Sequence, residues 1–362
     1  MRMIFNVNKN DTYLHFFLFF FFLCYKYFIM KLLLIIIHLL IFVVQGLSKE
    51  ELNLYSARQE VLIRPIIKLF EDEYKIKVNI VSAKANQLIN RIVQEGAYTN
   101  ADILLTTDVG RLHIAKEKNI FQKIYTTTLN NLVPSNYRDK DNYWYGVSLR
   151  ARLLVYNRNS INKSDLNGYI DLANDKWKNK ILVRSSSNVY NQSLISAMVI
   201  KYGEEEVIKF LKGFISNFAR KPSGGDRDQI RAVAAGEGDL ALVNSYYFLK
   251  MKSQDNEKKL DHVIEYFPKD NFMLTHTNIS GAGIIKNSKN KANAIKFIEF
   301  LVSNEAQKIY AEVNFEYPIR KNIKLNKFMK KYNYFIKDDL NLSDLAKMNK
   351  KSIMLMDIAG WQ

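Results

Sequence analysis

The sequence predicts an α/β protein with two lobes, each a mostly parallel sheet flanked by helices, with crossing strands as the hinge. From residue 51 onward, strand and helix patterns alternate, which is the order that builds a parallel sheet with covering helices. The 362 residues are about twice the length of a typical domain, so the length predicts two domains or one large α/β domain. The chain has 5 prolines and no low-complexity linker, so the lobes are expected to share strands instead of a flexible tether.

The first set of strands and helices begins after residue 50. Apolar residues alternate in its strands and recur at helical spacing in its helices. The predicted strands are 51–56, 77–83 and 101–108, and the predicted helices are 58–74, 85–96 and 110–119. Ligands of parallel sheets bind beyond the carboxyl ends of the strands. In this chain those ends carry polar residues, among them Arg58, Ser82 and Thr107.

A second set of strands and helices follows. It consists of a strand at 145–157, a strand running into a helix at 180–193, a helix, glycine turn and strand at 230–247, a strand at 278–286 and a helix at 291–313. The strands near 145–155 and 275–286 are predicted to cross between the lobes. Glycines in the second of these strands are expected to let its backbone bend.

These crossings set the predicted domain boundaries. Lobe 1 takes residues 49–148 and 278–320, and lobe 2 takes residues 149–277. Residues 321–362 are predicted to form a C-terminal helical segment, and residues 1–48 an N-terminal extension plus signal peptide.

The N-terminal residues are typical of export. From Met30 the chain has a basic residue, an apolar stretch at Leu32–Val44, and small residues at Gly46 and Ser48 that would suit cleavage. The apolar stretch is shorter than the roughly 20 residues that span a membrane. Residues 1–29 are interpreted as an upstream extension, and an uncleaved membrane anchor is the alternative. The signal peptide predicts export, with the periplasm as the expected compartment.

Composition excludes several classes of site. The one cysteine, Cys24, lies in the apolar leader, so the rest of the chain has no disulfide, thiolate metal site or cysteine nucleophile. Outside the leader the sequence has three histidines, His113, His262 and His276, which lie far apart along the chain. This spacing argues against a histidine metal site or a Ser-His-Asp triad. His276 is expected on the surface. Glycine-rich phosphate loops and the G-x-S-x-G elbow are also absent.

The net charge of +17 does not by itself predict nucleic-acid binding. The lysines are scattered through a sequence that is also rich in Ile and Asn, which indicates a general compositional bias. The densest basic run, residues 324–337, is interpreted as a solvated helix, so no nucleic-acid partner is expected.

Tyrosines at predicted strand ends are the remaining chemical feature. Tyr246 and Tyr247 end one predicted strand, and Tyr190 lies at a strand-to-helix corner. A phenol with a pKa near 10 is a poor ligand for divalent ions, but a hard trivalent cation can displace its proton. Three phenolates would neutralise Fe³⁺, and a nearby arginine could hold a small anion such as carbonate. A single tyrosine more often packs in a core, and spacing alone does not bring residues 56 positions apart together.

The ordered motifs of the chain resemble those of the periplasmic ferric-ion-binding proteins of bacterial iron ABC transporters. They run from about residue 50 to the C-terminal "IAGWQ" and comprise "YSARQ", "NRIVQEG", "ADILLTTDVGRL", "YGVSLRAR", "VRSSSNVYNQSL", "GGDRDQIRAVAAGEGDLALVNSYY", "NISGAGIIK" and "NFEYP". The resemblance implies a two-lobed periplasmic-binding-protein fold, with Fe³⁺ held in the cleft. It also implies delivery of the iron to an ABC permease and its ATPase at the inner membrane, by a monomeric protein in the periplasm.

The resemblance also implies the site residues. The family's tyrosine motifs fall on Tyr190, Tyr246 and Tyr247, which are the predicted metal ligands. Some members carry a histidine after the first strand, where this chain has Gln59 and Glu60. The chain is therefore similar to the branch in which three tyrosines and a synergistic anion suffice.

The same comparison implies which residues complete the site. Arg58 and Arg152 are the predicted contacts of the anion, which carbonate would supply, and Glu60 is considered as an additional ligand. A related binding protein for an oxyanion or an organic cation is the alternative. An enzyme on the same architecture, similar to porphobilinogen deaminase, would attach its cofactor through a cysteine that the mature chain lacks, so no enzymatic activity is expected.

Overall fold

A computed structural model describes residues 21–22, 25–35 and 50–362, which belong to two units, 1–50 and 51–362. In the first unit, residues 21–22 and 25–35 are helical and exposed. Cys24, the predicted cleavage region at Gly46 and Ser48, and most of the predicted apolar stretch lie outside the described residues. Among the residues that are described, no helix is both long and apolar enough to cross a membrane.

Strands and helices alternate through the second unit, as predicted. The strands are β1 (Glu51–Ser56), β2 (Lys77–Ser82), β3 (Ile103–Thr107), β4 (Tyr145–Asn157), β5 (Ile181–Leu182), β6 (Leu240–Asn244), β7 (Val263–Tyr266), β8 (Thr277–Ile284) and β9 (Tyr317–Pro318). The helices are α1 (Glu60–Tyr74), α2 (Ala85–Glu95), α3 (Val109–Glu117), α4 (Thr127–Leu132), α5 (Val189–Tyr202), α6 (Glu204–Ser216), α7 (Asp226–Ala235), α8 (Ser245–Ser253), α9 (Lys291–Leu301), α10 (Asn304–Glu312), α11 (Lys327–Lys331), α12 (Leu342–Lys347) and α13 (Asn349–Ile358).

The strands of residues 51–362 form one sheet in the order β2-β1-β3-β8-β4-β6-β5, with β7 and β9 also paired to β4. The pairs β1–β2, β1–β3 and β5–β6 are parallel, as the alternation of strands and helices predicts. The antiparallel pairs all involve β4 or β8. The sheet is therefore parallel within each set of strands and antiparallel where β4 and β8 join them.

The strand β4 is long enough to pair with different strands along its two halves. Its residues 145–151 pair with β8, whereas its residues 152–157 pair with β6 and β7. All of its residues except the last are buried, as expected of a central strand. The strands predicted near 145–155 and 275–286 are therefore confirmed as elements that the two halves share.

Two local predictions differ from the structure. The strand that was predicted to extend to residue 247 ends at Asn244, and the next helix begins at once. The helix predicted over 291–313 is two helices, because Ser303 caps the second by accepting from the Ala306 N–H. The glycines of β8 permit close packing, since a Cβ at Gly281 would lie 2.6 Å from the Leu112 side chain, and their role in bending the strand stays a prediction.

Candidate metal centre

Tyr190 is placed by the corner between β5 and α5. The short strand β5 ends at Leu182, and α5 begins at Val189, so Tyr190 is the second residue of that helix. The Asn191 side chain donates to the Arg184 and Ser185 carbonyl oxygens, at 3.0 and 3.1 Å, and so holds the intervening loop against the helix. The predicted strand-to-helix position of Tyr190 is confirmed.

Tyr246 and Tyr247 lie in the first turn of α8, directly after β6. Neighbouring residues of a strand would point to opposite faces, whereas neighbours in a helical turn are about 100° apart. Their ring centroids are 4.0 Å apart, with an angle of 33° between the ring planes. The change from strand to helix at Ser245 is therefore what lets both rings face one cavity.

The three tyrosines converge although 56 residues separate the first two. The hydroxyl oxygens of Tyr190 and Tyr246 are 3.4 Å apart. Burial, followed by the neighbouring phenols, raises the pKa of Tyr246 well above its ordinary value. Burial also raises the pKa of Tyr247. Both phenols are thus protonated near neutral pH, and a cation that binds them as phenolates must displace those protons.

The tyrosines line a cavity of about 180 Å³. Its other lining residues are Ala57, Arg58, Gln59, Leu62, Thr107, Arg111, Arg227 and Glu316. Most of these come from the ends of β1 and β3 and from the helices that follow them, within the predicted lobe 1. The tyrosines and Arg227 come from within the predicted lobe 2. The cavity is therefore bordered by residues of both predicted lobes.

Arg58 lines the cavity, but its guanidinium is already paired. It donates to both carboxylate oxygens of Glu316, at 2.6 and 3.1 Å, and to the Ser280 hydroxyl at 2.6 Å. The pair is buried, and although burial opposes the charge, Glu316 raises the pKa of Arg58 above its ordinary value. Glu316 was not predicted as a site residue, although it lies in the motif "NFEYP" that contributed to the family resemblance.

Arg152 is buried in β4, and both of its terminal nitrogens have polar partners. Its Nη1 lies 3.3 Å from Asp226 Oδ2 and 3.2 Å from Asn244 Oδ1, and its Nη2 donates to Asn191 Oδ1 at 2.6 Å. Burial lowers its pKa, against the attraction of Asp226. Arg152 does not line the large cavity and lies behind Tyr190, in a void of about 10 Å³.

Glu60 begins α1 and is exposed, and its carboxylate pairs with Arg64 one turn along the helix. It does not line the cavity, whereas its neighbour Gln59 does. Glu60, the predicted additional ligand, thus forms an ion pair on the exposed surface of the helix. Its role as a metal ligand stays a prediction.

Arg150 and His276 are buried behind Tyr190. The Arg150 guanidinium lies 5.2 Å from the Tyr190 ring centroid and donates to Ser280 at 3.1 Å. His276 was predicted on the surface, and that prediction is wrong: the residue is 3% exposed. Burial, together with Arg152 and Arg150, lowers its pKa to about 3, so its ring is neutral. Sequence reasoning missed its burial because one histidine in a polar stretch has no periodic signal.

Asp108, the residue directly after β3, lines the same small void as Arg150 and His276. It is buried with φ at +78°, which a residue other than glycine rarely adopts. Its Oδ1 accepts from the Ser193 hydroxyl at 2.6 Å and from the Gly110 N–H at 3.0 Å, which ties α5 to the start of α3. Burial raises the pKa of Asp108. The same helix α5 carries Tyr190, so Asp108 helps to position it.

The donor set of the cavity is phenolic. Within the described residues, no group of three or more His, Cys, Asp or Glu side chains could hold a metal ion. A metal in this cavity would therefore depend on tyrosine oxygens, which suit a hard, highly charged cation better than a soft divalent one.

The chain matches known proteins over most of its length. Residues 99–339 match the model of a family described as bacterial extracellular solute-binding proteins. The chain belongs to this family. Iron uptake protein A1 of Synechocystis is a relative that is 41% identical over 318 residues, covering 87% of this chain and 88% of that protein. The major ferric iron-binding protein of Neisseria meningitidis is 29% identical over 282 residues, covering 75% of this chain and 82% of that protein.

Solved structures of this family share the fold. A Trichodesmium protein in complex with iron and citrate is 44% identical with a TM-score of 0.82, covering 86% of this chain and 100% of that one. The ferric binding protein of Campylobacter jejuni is 37% identical with a TM-score of 0.81, again covering 86% of this chain and 100% of that one. The predicted two-lobed α/β fold and the resemblance to ferric-binding proteins are confirmed. The names of these relatives describe iron uptake or ferric iron binding.

Proposed function

We propose that this solute-binding protein captures Fe³⁺ through the phenolates of Tyr190, Tyr246 and Tyr247. The observation that carries the proposal is the convergence of these phenols, with the Tyr190 and Tyr246 oxygens 3.4 Å apart at one cavity. Three phenolates balance the charge of Fe³⁺, and the relatives named for ferric iron support the choice of cation.

The charge of the cavity argues against the other ligand classes. Its lining includes three arginines and one carboxylate, so the surroundings are positive and disfavour an organic cation. A free oxyanion would suit the arginines but would leave the clustered phenols without a role. Fe³⁺ accompanied by an anion uses both groups, and carbonate or the citrate that accompanies iron in the Trichodesmium relative would supply that anion.

The remaining parts of the proposal follow the family. The protein is exported through its N-terminal signal to the periplasm, binds iron there as a monomer, and delivers it to an ABC permease and ATPase at the inner membrane. Residues 49–148 with 278–320 and residues 149–277 act as the two lobes, which close on the ion. The protein carries out no catalysis.

A visible absorption spectrum tests the iron site. Wild-type protein mixed with ferric iron and bicarbonate is expected to develop the broad charge-transfer band of iron–tyrosinate. The double variant Tyr190→Phe, Tyr246→Phe is expected to lose the band, because phenylalanine keeps the ring packing and removes the ligand oxygens.

Tyr98→Phe is the matched control, since Tyr98 is 92% exposed and does not line the cavity. It is expected to match the wild type in both band intensity and iron retained after desalting. A colourless wild type, or full colour in the double variant, would disprove the proposed ligands.

A further inference from the structure

Residues 324–337, the densest basic run of the chain, do not line the iron cavity and include no arginine, aspartate or glutamate. The run was predicted to be a solvated helix, but only Lys327–Lys331 is helical. Leu325, Met329 and Tyr332 are buried, at 8%, 0% and 2% exposure. These three side chains hold the run against the folded protein, so the others form a fixed part of its surface.

The exposed lysines of this run are unpaired. Within the described residues, their side chains form no ion pair and no hydrogen bond. They are Lys324, Lys327, Lys330 and Lys331. Exposed lysines elsewhere do pair, as Lys140 does with Asp344 and Lys209 with Glu206. The lysine-rich composition of the chain is therefore neutralised locally at those positions, whereas residues 324–337 keep their positive charge.

Two exposed apolar side chains accompany the lysines. Ile336 is 61% exposed, and Tyr334 is 53% exposed although its ring contacts Phe267. The Tyr334 hydroxyl donates to Glu265 Oε1 at 3.2 Å, and Glu265 forms no ion pair with the lysines within the described residues. We call the four exposed lysines together with Tyr334 and Ile336 the basic surface.

The chemistry of the basic surface fits an anionic lipid bilayer. Lysine is a point charge and lacks the planar fork with which arginine recognises one phosphate or carboxylate in a fixed geometry. Charge spread over several lysines instead matches the spread negative charge of a bilayer, which attracts clusters of about four to eight basic residues. Tyr334 and Ile336 would add apolar contacts at the boundary between headgroups and acyl chains, where amphipathic side chains are favoured. A nucleic-acid backbone would offer those two side chains no such contact.

We propose that the basic surface binds the anionic lipids of the membrane that faces the exported protein. Bound in this way, the protein stays at the membrane that holds the proposed permease and does not diffuse through the whole compartment. This lipid contact goes beyond the proposed iron site, because no residue of the basic surface lines the iron cavity.

Co-sedimentation with vesicles tests the lipid contact. Purified protein is mixed with vesicles of equimolar phosphatidylglycerol and phosphatidylcholine, or of phosphatidylcholine alone. The neutral vesicles measure any binding by the apolar leader, which needs no anionic lipid. Wild type is expected to bind the anionic vesicles at least about tenfold more tightly than the neutral ones. This difference is expected to disappear when NaCl is raised from about 0.05 M to about 0.5 M, because salt screens exposed charges.

The double variant Lys330→Gln, Lys331→Gln removes two charges from the basic surface. It is expected to bind the anionic vesicles about thirtyfold more weakly, a factor of about five for each lysine. The matched control is Lys140→Gln, Lys209→Gln, which changes the net charge equally at two exposed lysines outside the basic surface. The control is expected to stay within about threefold of wild type. Equal binding of wild type to both kinds of vesicle, or equal weakening in the two double variants, would overturn the proposal.

Ile336→Ser separates a bilayer from a soluble polyanion as the partner. The substitution leaves every charge in place and removes an exposed apolar side chain. It is expected to weaken binding to anionic vesicles about fivefold, because less apolar surface is buried, and to leave binding to heparin unchanged. Unchanged binding to both would show that the surface collects polyanions in general, and would reject the bilayer as its specific partner.

The vesicle experiment is independent of the iron site. Tyr190→Phe, Tyr246→Phe is expected to bind anionic vesicles as wild type does, with or without ferric iron. Loss of iron by that variant therefore tests the proposed ligands, and loss of vesicle binding by Lys330→Gln, Lys331→Gln tests the basic surface. Weakened vesicle binding in the tyrosine variant would contradict a lipid contact at residues 324–337.

Discussion

At the scale of single residues, burial determines the protonation of the site. Tyr246 and Tyr247 have raised pKa values because the cavity removes their phenols from water. The buried guanidinium of Arg150 lies over the Tyr190 ring and has no carboxylate partner among the described residues. It is therefore placed to attract the negative charge that a Tyr190 phenolate would carry in the proposed iron site. A cation bound there would replace the protons of Tyr246 and Tyr247.

Proton release on iron binding measures this exchange. Since Tyr246 and Tyr247 are protonated at neutral pH, binding one Fe³⁺ is expected to release at least two protons from the protein, and iron affinity is expected to rise with pH. A pH-stat titration of the apo protein with ferric citrate measures the number of protons released. The same titration of the Tyr190→Phe, Tyr246→Phe variant gives the background, which is subtracted. Release of fewer than one proton per iron would contradict coordination by both phenolates.

The burial of His276 predicts that the folded protein loses stability as the pH falls. Its pKa is about 3 in the folded protein, below the roughly 6.5 of an unfolded chain, so the unfolded state binds more protons between these values. Its stabilising contribution is therefore fully present above pH 6.5 and is lost as the pH falls toward 3. Between pH 7 and pH 5, wild type is expected to lose about 2 kcal/mol more stability than His276→Gln.

Urea unfolding at both pH values measures the His276 effect. The comparison uses the difference between the two pH values within each protein, so any packing cost of the glutamine cancels. Equal losses in the two proteins would show that His276 is not the group responsible.

At the scale of elements, helix starts supply both the ligands and the residues that hold them. Tyr190, Tyr246 and Arg227 each lie in the first turn of a helix that follows a strand or a loop. The start of α7 is tied to its neighbours by Asp226, which accepts from Arg152, Arg184 and the Asn244 N–H. Asn244 is the last residue before the helix that carries Tyr246. Asp226 thus positions one tyrosine through β6.

The two acidic residues at the start of α7 predict different losses of stability. Asp226→Ala leaves the buried Arg152 without its carboxylate and is expected to cost about 3–5 kcal/mol in the free energy of unfolding. Asp228→Ala removes a carboxylate from the exposed helix start, where it accepts from the Gly225 N–H, and is expected to cost about 1 kcal/mol. Denaturant titration of both variants compares them. A loss from Asp226→Ala no larger than that from Asp228→Ala would contradict the role of the buried network.

At the scale of the whole molecule, the cavity borders both predicted lobes, while β4 and β8 run through the sheet between them. Residues 154–157 of β4 pair with β7, and three of them, 154–156, also pair with β6, so both edges of this part of the strand are hydrogen-bonded. An ion bound by Tyr190, Tyr246 and Tyr247, with an anion that contacts the opposite side of the cavity, would link residues of the two predicted lobes. Binding should then close and stabilise the molecule.

Closure is measurable in solution. Adding ferric citrate to the apo protein is expected to reduce the radius of gyration in small-angle scattering. It is also expected to stabilise the folded state by about 2.7 kcal/mol when free ligand is 100 times the dissociation constant, which raises the Tm. The Tyr190→Phe, Tyr246→Phe variant should show neither change. A wild type that gains stability without becoming more compact would contradict closure of the lobes.

The amino-acid sequence alone predicts the alternation of strands and helices, the shared strands near residues 145–155 and 275–286, and the tyrosine motifs. These are local features, because periodicity and motif spacing are properties of neighbouring residues. Three other features depend on tertiary packing, namely that Tyr190 and Tyr246 meet, that His276 is buried, and that Arg58 is paired with a carboxylate. Arg58 and Arg111 look alike in the sequence, but Glu316, which pairs with Arg58, lies 258 residues away along the chain. The availability of a charge depends on partners that long-range packing supplies, and no local pattern specifies them.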